Sequence, residues 1–214
     1  YTALWRTLAG SRPCLTFGAE GADVRCVQAV WDDGAWRVQI ATPQGALACA
    51  LHIAGRHNVT NALAATACAL AAGVPLDAIA RGLSAFTPVK GRSRAFSVAS
   101  GARAVTVVDD SYNANPDSMR AAIDVLAELP APRLLVLGDM GEVGDQGPEF
   151  HAEAGAHAQV RGIEQLYALG AQSAHAVAAF GGARHFNDMA SLQAAVREAL
   201  PAVGSVLVKG SRFM

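Results

Sequence analysis

The sequence predicts an α/β fold built in two parts, and three features of the chain support that prediction. From Ala104 onward, short apolar runs alternate with helical segments, as in a Rossmann-like, doubly wound and mainly parallel sheet. Before residue 88, apolar runs joined by tight turns precede two helical segments, which indicates antiparallel strands packed with helices. Between these parts, FTPVKGRSR has the proline and glycine of a linker. We therefore expect one domain over residues 1–88 and a second over residues 89–214.

The first part contains three candidate strands and two candidate helices. The strands are RCVQAVW, AWRVQIA and ALACALHIA, and DDG and TPQG form the turns between them. The first helix, HNVTNALAATACALAAG, is rich in alanine and stops at Gly73. The second helix, PLDAIARGLSAF, begins with Pro75, whose fixed backbone angle suits a first helical turn. These elements predict an antiparallel meander followed by a helical pair.

The second part alternates five candidate strands with four candidate helices. The strands are AVTVVDD, RLLVLGD, EQLYALG, RHF and SVLVKG. The helices between them are NPDSMRAAIDVLAEL, PEFHAEAGAHAQV, SAHAVAAF and SLQAAVREAL. Regular alternation of this kind is typical of parallel strands connected by crossover helices.

The composition excludes some classes of function. Charged residues are 16% of the 214 residues and the formal net charge is -1, so the basic surface that nucleic acids require is missing. The longest apolar stretch, between Asn61 and Asp77, is shorter than the ~20 residues of a membrane helix. The four cysteines form no C-x-x-C pair, which predicts reduced, buried thiols and a cytoplasmic location. We expect neither a nucleic-acid partner nor membrane insertion.

The loop VVDDSYNANPDSM lies where a strand of the predicted sheet leads into a helix, the usual place for a ligand in such folds. Asp110 ends the strand, and Asn115 can cap the helix that follows. A favourable helix start would by itself account for Asn115 and Pro116. It accounts less well for Tyr112 and Asn113, which supply directional hydrogen bonds beside the strand-end carboxylate.

Two further loops follow strand ends. LGDMGEVG has a G-x-x-G-x-x-G pattern, which differs from the dinucleotide fingerprint, and it places Asp139 and Glu142 on the expected ligand-facing rim. An ordinary glycine-rich turn is the alternative interpretation. In VKGSR, Lys209 is one of only two lysines in the chain and could bind an anionic group. A solvated lysine is the simpler alternative for that residue.

The segment GRHNVTNALAA combines three polar side chains at a helix start. Asn58 and Asn61 share one helix face at i, i+3, and His57 lies beside them. An asparagine amide offers both a donor and an acceptor, which suits the edge of an adenine ring. Capping would explain either asparagine alone, but the three together favour a ligand site.

Several sequence motifs of catalysis are absent. The chain has no G-x-x-x-x-G-K-[ST], so it lacks the loop that cradles a triphosphate and positions its magnesium. No histidine spacing matches a metal site, and no G-x-S-x-G nucleophile motif occurs. We therefore assign neither a metal ligand nor a catalytic residue within the chain.

Five motifs follow one another along the chain: GRHNVTNALAA, VKGRSR, VVDDSYNANPDSM, LVLGDMGEVG with HAEAG, and VLVKGSR. Together, in this order, they resemble the Mur ligases of peptidoglycan synthesis. DDSYNANP and GDMGEVG resemble the branch that adds D-alanyl-D-alanine to UDP-N-acetylmuramoyl tripeptide. The resemblance covers nearly the whole chain.

The resemblance implies that the chain is a piece of a longer, three-domain cytoplasmic enzyme. The piece would comprise the end of the central ATPase domain and most of the C-terminal domain, without its last helix. It implies that ATP activates the tripeptide carboxylate as an acyl phosphate, which the dipeptide amine attacks, with Mg²⁺ assisting. We expect a monomer. We also expect the 214-residue chain to be inactive alone, because it has no phosphate-binding loop.

The resemblance also implies roles for particular residues. The ATP side would consist of His57, Asn58, Asn61, Arg92 and Asp110. The dipeptide side would consist of Tyr112, Asn113, Asn115, Lys209, Ser211 and Arg212. Where the family usually has PGR, this chain has Lys90 before Gly91 and a further arginine at position 94, so both Arg92 and Arg94 are candidates for the nucleotide contact.

Two other classes of function stay open at this point. The chain could belong to a sister amide ligase of the diaminopimelate-adding or folylpolyglutamate type, although SYNANP favours the dipeptide-adding branch. It could also be a nucleotide-binding module that has kept the fold and lost the chemistry. A panel of substrates distinguishes a sister ligase from the dipeptide-adding branch. The phosphate-binding loop of the longer protein distinguishes a ligase, in which it is intact, from a module without the chemistry, in which it has decayed.

Overall fold

The computed structural model describes residues 2–18, 20–32, 34–101 and 103–212. The chain forms two compact units. The first comprises residues 1–52 and 56–87, and the second comprises residues 53–55 and 88–214. In the part of the chain described, no helix is long and apolar enough to cross a membrane.

The first unit is a four-stranded sheet with helices. Its strands have the order β1-β2-β3-β4, in which β1 is parallel to β2 and the other neighbours are antiparallel. The predicted meander and helical pair are confirmed, whereas the first helix and β1 were not predicted. The elements are α1 (Thr2–Ala9), β1 (Phe17–Gly18), β2 (Val24–Asp32), β3 (Ala35–Thr42), β4 (Gly45–Leu51), α2 (Arg56–Ala71) and α3 (Leu76–Ala85).

Helix α2 holds this unit together through one apolar face. Its buried residues recur at the three- and four-residue spacing of a helix face, and the helix contacts β2. They are Val59, Ala62, Leu63, Thr66, Ala67 and Leu70. The polar residues at the start of α2 are thereby carried on a helix that the core fixes in place.

The second unit is a six-stranded sheet with the order β5-β6-β10-β7-β8-β9. Strand β5 is antiparallel to β6, and all other neighbours are parallel. The elements are β5 (Arg94–Ser100), β6 (Arg103–Asp110), α4 (Pro116–Ala127), β7 (Arg133–Gly138), α5 (Gly147–Val160), β8 (Gln165–Leu169), α6 (Ser173–Phe180), β9 (Arg184–Phe186), α7 (Met189–Ala199) and β10 (Ser205–Lys209), with short 3-10 turns at Gly144–Gln146 and Leu200–Ala202.

Helices cover both faces of this sheet. Helix α4 contacts β10 and β7, and α7 contacts β8 and β9. Residues of α7 form one apolar cluster with alternate residues of the central strands, among them Leu134, Val136 and Val206. Their neighbours Leu135 and Leu207 point to the opposite face and are fully buried. The predicted doubly wound, mainly parallel fold is confirmed.

The strand order places three strand ends side by side. In the register of β10, Lys209 lies opposite Asp110 of β6 on one side and Leu137 of β7 on the other. The loops that follow these strands therefore leave the sheet at a single edge.

Two expectations are corrected by the structure. The segment from Arg94 to Ser100, of which only Arg94 belongs to the predicted linker and the rest was assigned to no element, is an edge strand paired with β6. Among the cysteines, only Cys49 is buried and Cys26 is partly covered, whereas Cys14 and Cys68 are exposed. The prediction of buried thiols is therefore wrong for Cys14 and Cys68, although all four cysteines are free.

Candidate functional site

Asp110 and Lys209 form a buried ion pair where β6 and β10 end. The Nζ atom of Lys209 lies 2.6 Å from Oδ2 of Asp110 and 3.0 Å from the carbonyl oxygen of Asn113. The Lys209 side chain is only 2% exposed. The interpretation of Lys209 as a solvated lysine is therefore wrong, because its ammonium is enclosed by protein acceptors.

Ser93 forms hydrogen bonds to the other oxygen of the Asp110 carboxylate. Its backbone N–H and its hydroxyl both donate to Oδ1 of Asp110, at 2.9 and 3.0 Å. Ser93 has a φ of 48°, in the left-handed region that residues other than glycine seldom adopt. Its carbonyl accepts from the N–H of Ala54 at 3.0 Å. Sequence reasoning missed Ser93, since nothing in its neighbours indicates this conformation.

Asp109 and Gly91 also join the segment before Ser93 to the loop after β6. Asp109 accepts from the N–H of Gly91 at 3.1 Å, and the N–H of Tyr112 donates to the Gly91 carbonyl at 2.9 Å. Gly91 has a φ of 78°, and a Cβ there would lie 2.8 Å from the Tyr112 nitrogen. Asp109 also accepts from the hydroxyl of Ser111 at 2.6 Å. Residues 91–93 and the loop after β6 thus form one hydrogen-bonded unit.

The two candidate arginines point to different neighbours. The Arg92 guanidinium lies 4.0 Å from the centroid of the Tyr112 ring, in cation–π contact, and both side chains are exposed. Arg94 lies in β5, with its guanidinium 6.0 Å from the ring centroid of Phe96. Of the two, Arg92 is the one that sits against the loop after β6.

Asn115 caps α4. Its Oδ1 accepts from the N–H of Ser118 at 2.8 Å, and its own N–H donates to the Ser118 hydroxyl at 3.0 Å. Pro116 occupies the first turn, as expected. The capping role foreseen for Asn115 is therefore present, while Tyr112 and Asn113 stay exposed at the rim.

The segment after β10 passes close to β7. The N–H of Ser211 donates to the Asp139 carbonyl at 2.9 Å, and a Cβ on Gly210 would lie 3.1 Å from the Cα of Gly138. Ser211 is buried and Arg212 is exposed. Arg212 therefore carries a cation to the same edge of the sheet as Tyr112 and Asn113.

Asp139 does not face a ligand as expected, because its carboxylate binds the start of α6. Its Oδ1 accepts from the N–H of Ser173 at 2.7 Å, and its Oδ2 accepts from the N–H of Gln172 at 3.1 Å. A Cβ on Gly170 would overlap this carboxylate, so glycine is required there. Glu142, in contrast, is exposed and has a φ of 60°.

His151 fastens the glycine-rich loop to α5. The imidazole is fully buried, its Nε2 accepts from the N–H of Met140 at 2.9 Å, and its Nδ1 donates to the Gly147 carbonyl at 2.6 Å. These partners define a neutral ring with the proton on Nδ1. Its role is therefore structural.

The three polar residues at the start of α2 form a hydrogen-bonded row in the first unit. Asn61 donates from Nδ2 to Oδ1 of Asn58 at 3.0 Å, and Nδ2 of Asn58 lies 3.2 Å from Nε2 of His57. His57 and Asn61 are exposed and Asn58 is half-buried. The i, i+3 spacing thus brings these amides together as predicted.

An open cavity of about 440 Å³ lies beside α7 in the second unit. Its walls are mostly apolar and include Leu169, Leu192 and Val196, and Ser111 and Arg212 lie among its polar lining residues. Within the described residues, no group of three or more His, Cys, Asp or Glu could hold a metal ion.

Comparisons with known proteins agree with this fold. Residues 93–212 match the family described as Mur ligase, glutamate ligase domain. The chain belongs to the Mur ligase family.

Similar proteins within that family share one name. The chain is 37% identical over 213 residues to UDP-N-acetylmuramoyl-tripeptide--D-alanyl-D-alanine ligase of Escherichia coli (strain K12), covering 97% of this chain and 46% of that protein. The Haemophilus influenzae protein of the same name is 39% identical over 149 residues, covering 70% of this chain and 32% of that protein. A crystal structure of MurF from Acinetobacter baumannii superposes with a TM-score of 0.84 at 35% identity, covering 99% of this chain and 47% of that one. The chain thus spans about half the length of the relatives it matches.

Proposed function

We propose that this chain is part of an ATP-dependent ligase that joins D-alanyl-D-alanine to UDP-N-acetylmuramoyl tripeptide in the cytoplasm, and that the enzyme is a monomer. The names of relatives that match 97% and 70% of the chain support this proposal. The structural observation that carries it is the docking of residues 91–93 on the loop after β6. That contact puts Asp110 and Arg92, the proposed nucleotide side, next to Tyr112 and Asn113, the proposed dipeptide side.

On the nucleotide side, Asp110 has acceptor capacity left for a ribose hydroxyl. A carboxylate has about four lone-pair sites. Protein donors use three of them, two from Ser93 and one from Lys209. Arg92 is exposed and offers a guanidinium for a phosphate oxygen. His57, Asn58 and Asn61 belong to the first unit, and their amides and ring suit the polar edge of adenine.

On the dipeptide side, exposed polar groups lie around one sheet edge. The exposed residues Tyr112 and Asn113 follow the end of β6, and the exposed Arg212 follows the end of β10, the adjacent strand. Ser211, the other residue proposed for this side, is buried beside Arg212. An arginine matches the carboxylate of D-alanyl-D-alanine in charge and in its paired donors. Asn115 supports this surface by fixing the start of α4.

In the proposed reaction, ATP converts the tripeptide carboxylate to an acyl phosphate, and the dipeptide amine attacks its carbonyl carbon. The C–N bond forms, the C–O bond to phosphate breaks, the amine loses a proton and inorganic phosphate leaves. This chain would contribute by holding the amine and nucleotide in place and excluding water. The described residues offer no fitting ligand set for Mg²⁺, so no step of this chain is assigned to it.

The experiment that tests the proposal is phosphate release by the full-length enzyme with ATP, magnesium and UDP-muramoyl tripeptide. D-Alanyl-D-alanine is added in one series, and single amino acids are added in parallel series. Release that depends on the dipeptide supports the proposal. Release only with another amine moves the chain to a sister ligase, and no release with any amine indicates a module without ligase chemistry.

The same assay tests the role of Asp110 and the activity of the isolated chain. Asp110→Ala is expected to raise the KM for ATP, and an unchanged KM would contradict the nucleotide role. The 214-residue chain alone is expected to turn over no ATP, because it has no phosphate-binding loop.

A further inference from the structure

We infer that Lys209 is a positioning residue that couples the nucleotide side of the site to the dipeptide loop, instead of a direct substrate ligand. The inference rests on the proposed function. A single ammonium group holds both the Asp110 carboxylate and the carbonyl of Asn113. The first belongs to the proposed nucleotide side and the second to the proposed dipeptide side.

The burial of Lys209 argues against contact with a substrate. Its side chain is 2% exposed, whereas that of Asp110 is 16% exposed. An ammonium in such surroundings must be satisfied by protein acceptors, since an unpaired buried charge is strongly unfavourable. The two acceptors lie at 2.6 and 3.0 Å. The residue with surface left for a ligand is therefore Asp110.

The ammonium fixes one oxygen of the Asp110 carboxylate. It donates to Oδ2 at 2.6 Å. Ser93 fixes Oδ1 with two further donors, so both oxygens are held from within the second unit. A ribose hydroxyl then meets a carboxylate whose orientation is set before binding, which lowers the entropic cost of binding.

The same ammonium also fixes the loop that follows. Asn113 lies between Tyr112 and the Asn115 cap, so its carbonyl is the point at which Lys209 holds the middle of the loop. A shift of Asp110 must therefore move the ammonium or break one of its two bonds. This shared donor links the geometry of the two halves.

The decisive experiment is a double-mutant cycle in the full-length enzyme with Lys209→Gln, Asp110→Asn and the double variant. We measure KM for ATP, KM for D-alanyl-D-alanine and kcat for each. A positioning role predicts that Lys209→Gln raises the ATP KM about tenfold, equivalent to about 1.4 kcal/mol. Since both changes disrupt one unit, the double variant is expected to match the worse single variant within about threefold.

A direct dipeptide ligand predicts a different result. In that case Lys209→Gln raises only the KM for D-alanyl-D-alanine and leaves the ATP KM unchanged. In the double variant, the fold-changes of Lys209→Gln and Asp110→Asn then multiply. That outcome in an active enzyme overturns the inference and leaves the proposed function intact. An unmutated enzyme with no dipeptide-dependent phosphate release overturns the proposed function, and the inference falls with it.

Two further variants guard against misfolding. Lys90→Gln removes the other lysine of the chain, which is exposed, and is expected to leave all three constants unchanged. Ser93→Ala keeps the ion pair and deletes one donor to Asp110. If Lys209→Gln does not fold, Ser93→Ala is the test of whether the Asp110 carboxylate is held in place. The loss of one hydrogen bond is expected to raise the ATP KM about threefold, which supports a held carboxylate. An unchanged ATP KM contradicts it.

Discussion

His151 accepts the backbone N–H of Met140 through Nε2 at 2.9 Å, and this bond ties the loop after β7 to α5. The ring is fully buried, so water cannot replace it as the acceptor. The opposite ring nitrogen donates to the Gly147 carbonyl at 2.6 Å. One side chain therefore organises both ends of the segment from Met140 to Gly147.

Replacing His151 is expected to destabilise the protein. His151→Ala leaves the Met140 N–H without an acceptor and opens a cavity, so we expect a loss of about 2–4 kcal/mol in the free energy of unfolding. The measurement is urea denaturation followed by circular dichroism. The control is His175→Ala, on the exposed side of α6, which should change the free energy of unfolding little. His151→Phe fills the volume but cannot accept, and stability equal to wild type would contradict the role of the bond.

Gly155 lies where α5 packs closely against α6. A Cβ on Gly155 would overlap the carbonyl of Ala176 in α6, which is backbone and cannot move aside alone. We expect Gly155→Ala to lower the free energy of unfolding by about 2–3 kcal/mol, as overpacked sites do. Gly82 lies inside α3 with open space around it. The same change there should stabilise the protein by about 0.5–1 kcal/mol. Equal effects at both positions in urea denaturation would contradict the packing argument.

Much of the fold could be predicted because local signals and packing agree. The alternation of strands and helices from Ala104 onward, the cap at Asn115 and the first-turn Pro116 were all visible in the sequence. Strand β5 was missed because its half-exposed residues resemble the linker that precedes it. It becomes a strand through pairing with β6, a tertiary effect that a local pattern does not contain.

The site was predictable in location and less so in detail. Sequence reasoning placed Asp110 and Lys209 at strand ends, but the adjacency of β6 and β10 follows from the strand order. Without that order, the burial of Lys209 cannot be foreseen, and a solvated side chain is the simpler expectation. Asp139 was expected at the rim for a similar reason. Its partners, the N–H groups of Gln172 and Ser173, belong to a later loop.

The cap of α7 gives a pH-dependent contribution to stability. The backbone N–H of Ser191, and then its hydroxyl, donate to Asp188 and hold the pKa of that carboxyl below its usual range. A carboxyl with a lowered pKa stabilises the folded state above the unfolded pKa of about 3.9, and this contribution is lost as pH falls through the folded pKa. We therefore expect Asp188→Ala to destabilise the protein near neutral pH, with the difference from wild type narrowing below about pH 4.

Asp188→Asn is the matched control, because asparagine caps helices nearly as well and does not titrate in this range. Thermal unfolding of the three proteins at several pH values measures the effect. A difference in unfolding temperature between wild type and Asp188→Ala that stays constant down to the lowest pH would contradict a stabilising role of the charged cap.

Gly91 lies where the linker contacts the loop after β6, and adding one methyl group there tests that contact. Its φ is 78°, and a Cβ would lie 2.8 Å from the backbone nitrogen of Tyr112. Gly91→Ala must push the loop away, breaking the bond from the Tyr112 N–H to the Gly91 carbonyl and displacing Arg92 from the Tyr112 ring. In the full-length protein, assayed for the proposed ligase activity, we expect kcat/KM to fall about tenfold or more, because small displacements of positioned groups are costly in catalysis.

Gly101 allows the clash at Gly91 to be distinguished from the cost of its backbone conformation. Gly101 also has a positive φ, 62°, but a Cβ there would meet no atom within 4 Å. Gly101→Ala should therefore share the conformational strain, of about 1–2 kcal/mol, without moving the loop. We expect it to lower thermal stability while leaving kcat/KM within about twofold of wild type, because no positioned group is displaced. If the two variants lose activity equally, backbone strain would suffice as the cause, and the docking of Gly91 on Tyr112 would have no separate role in the reaction.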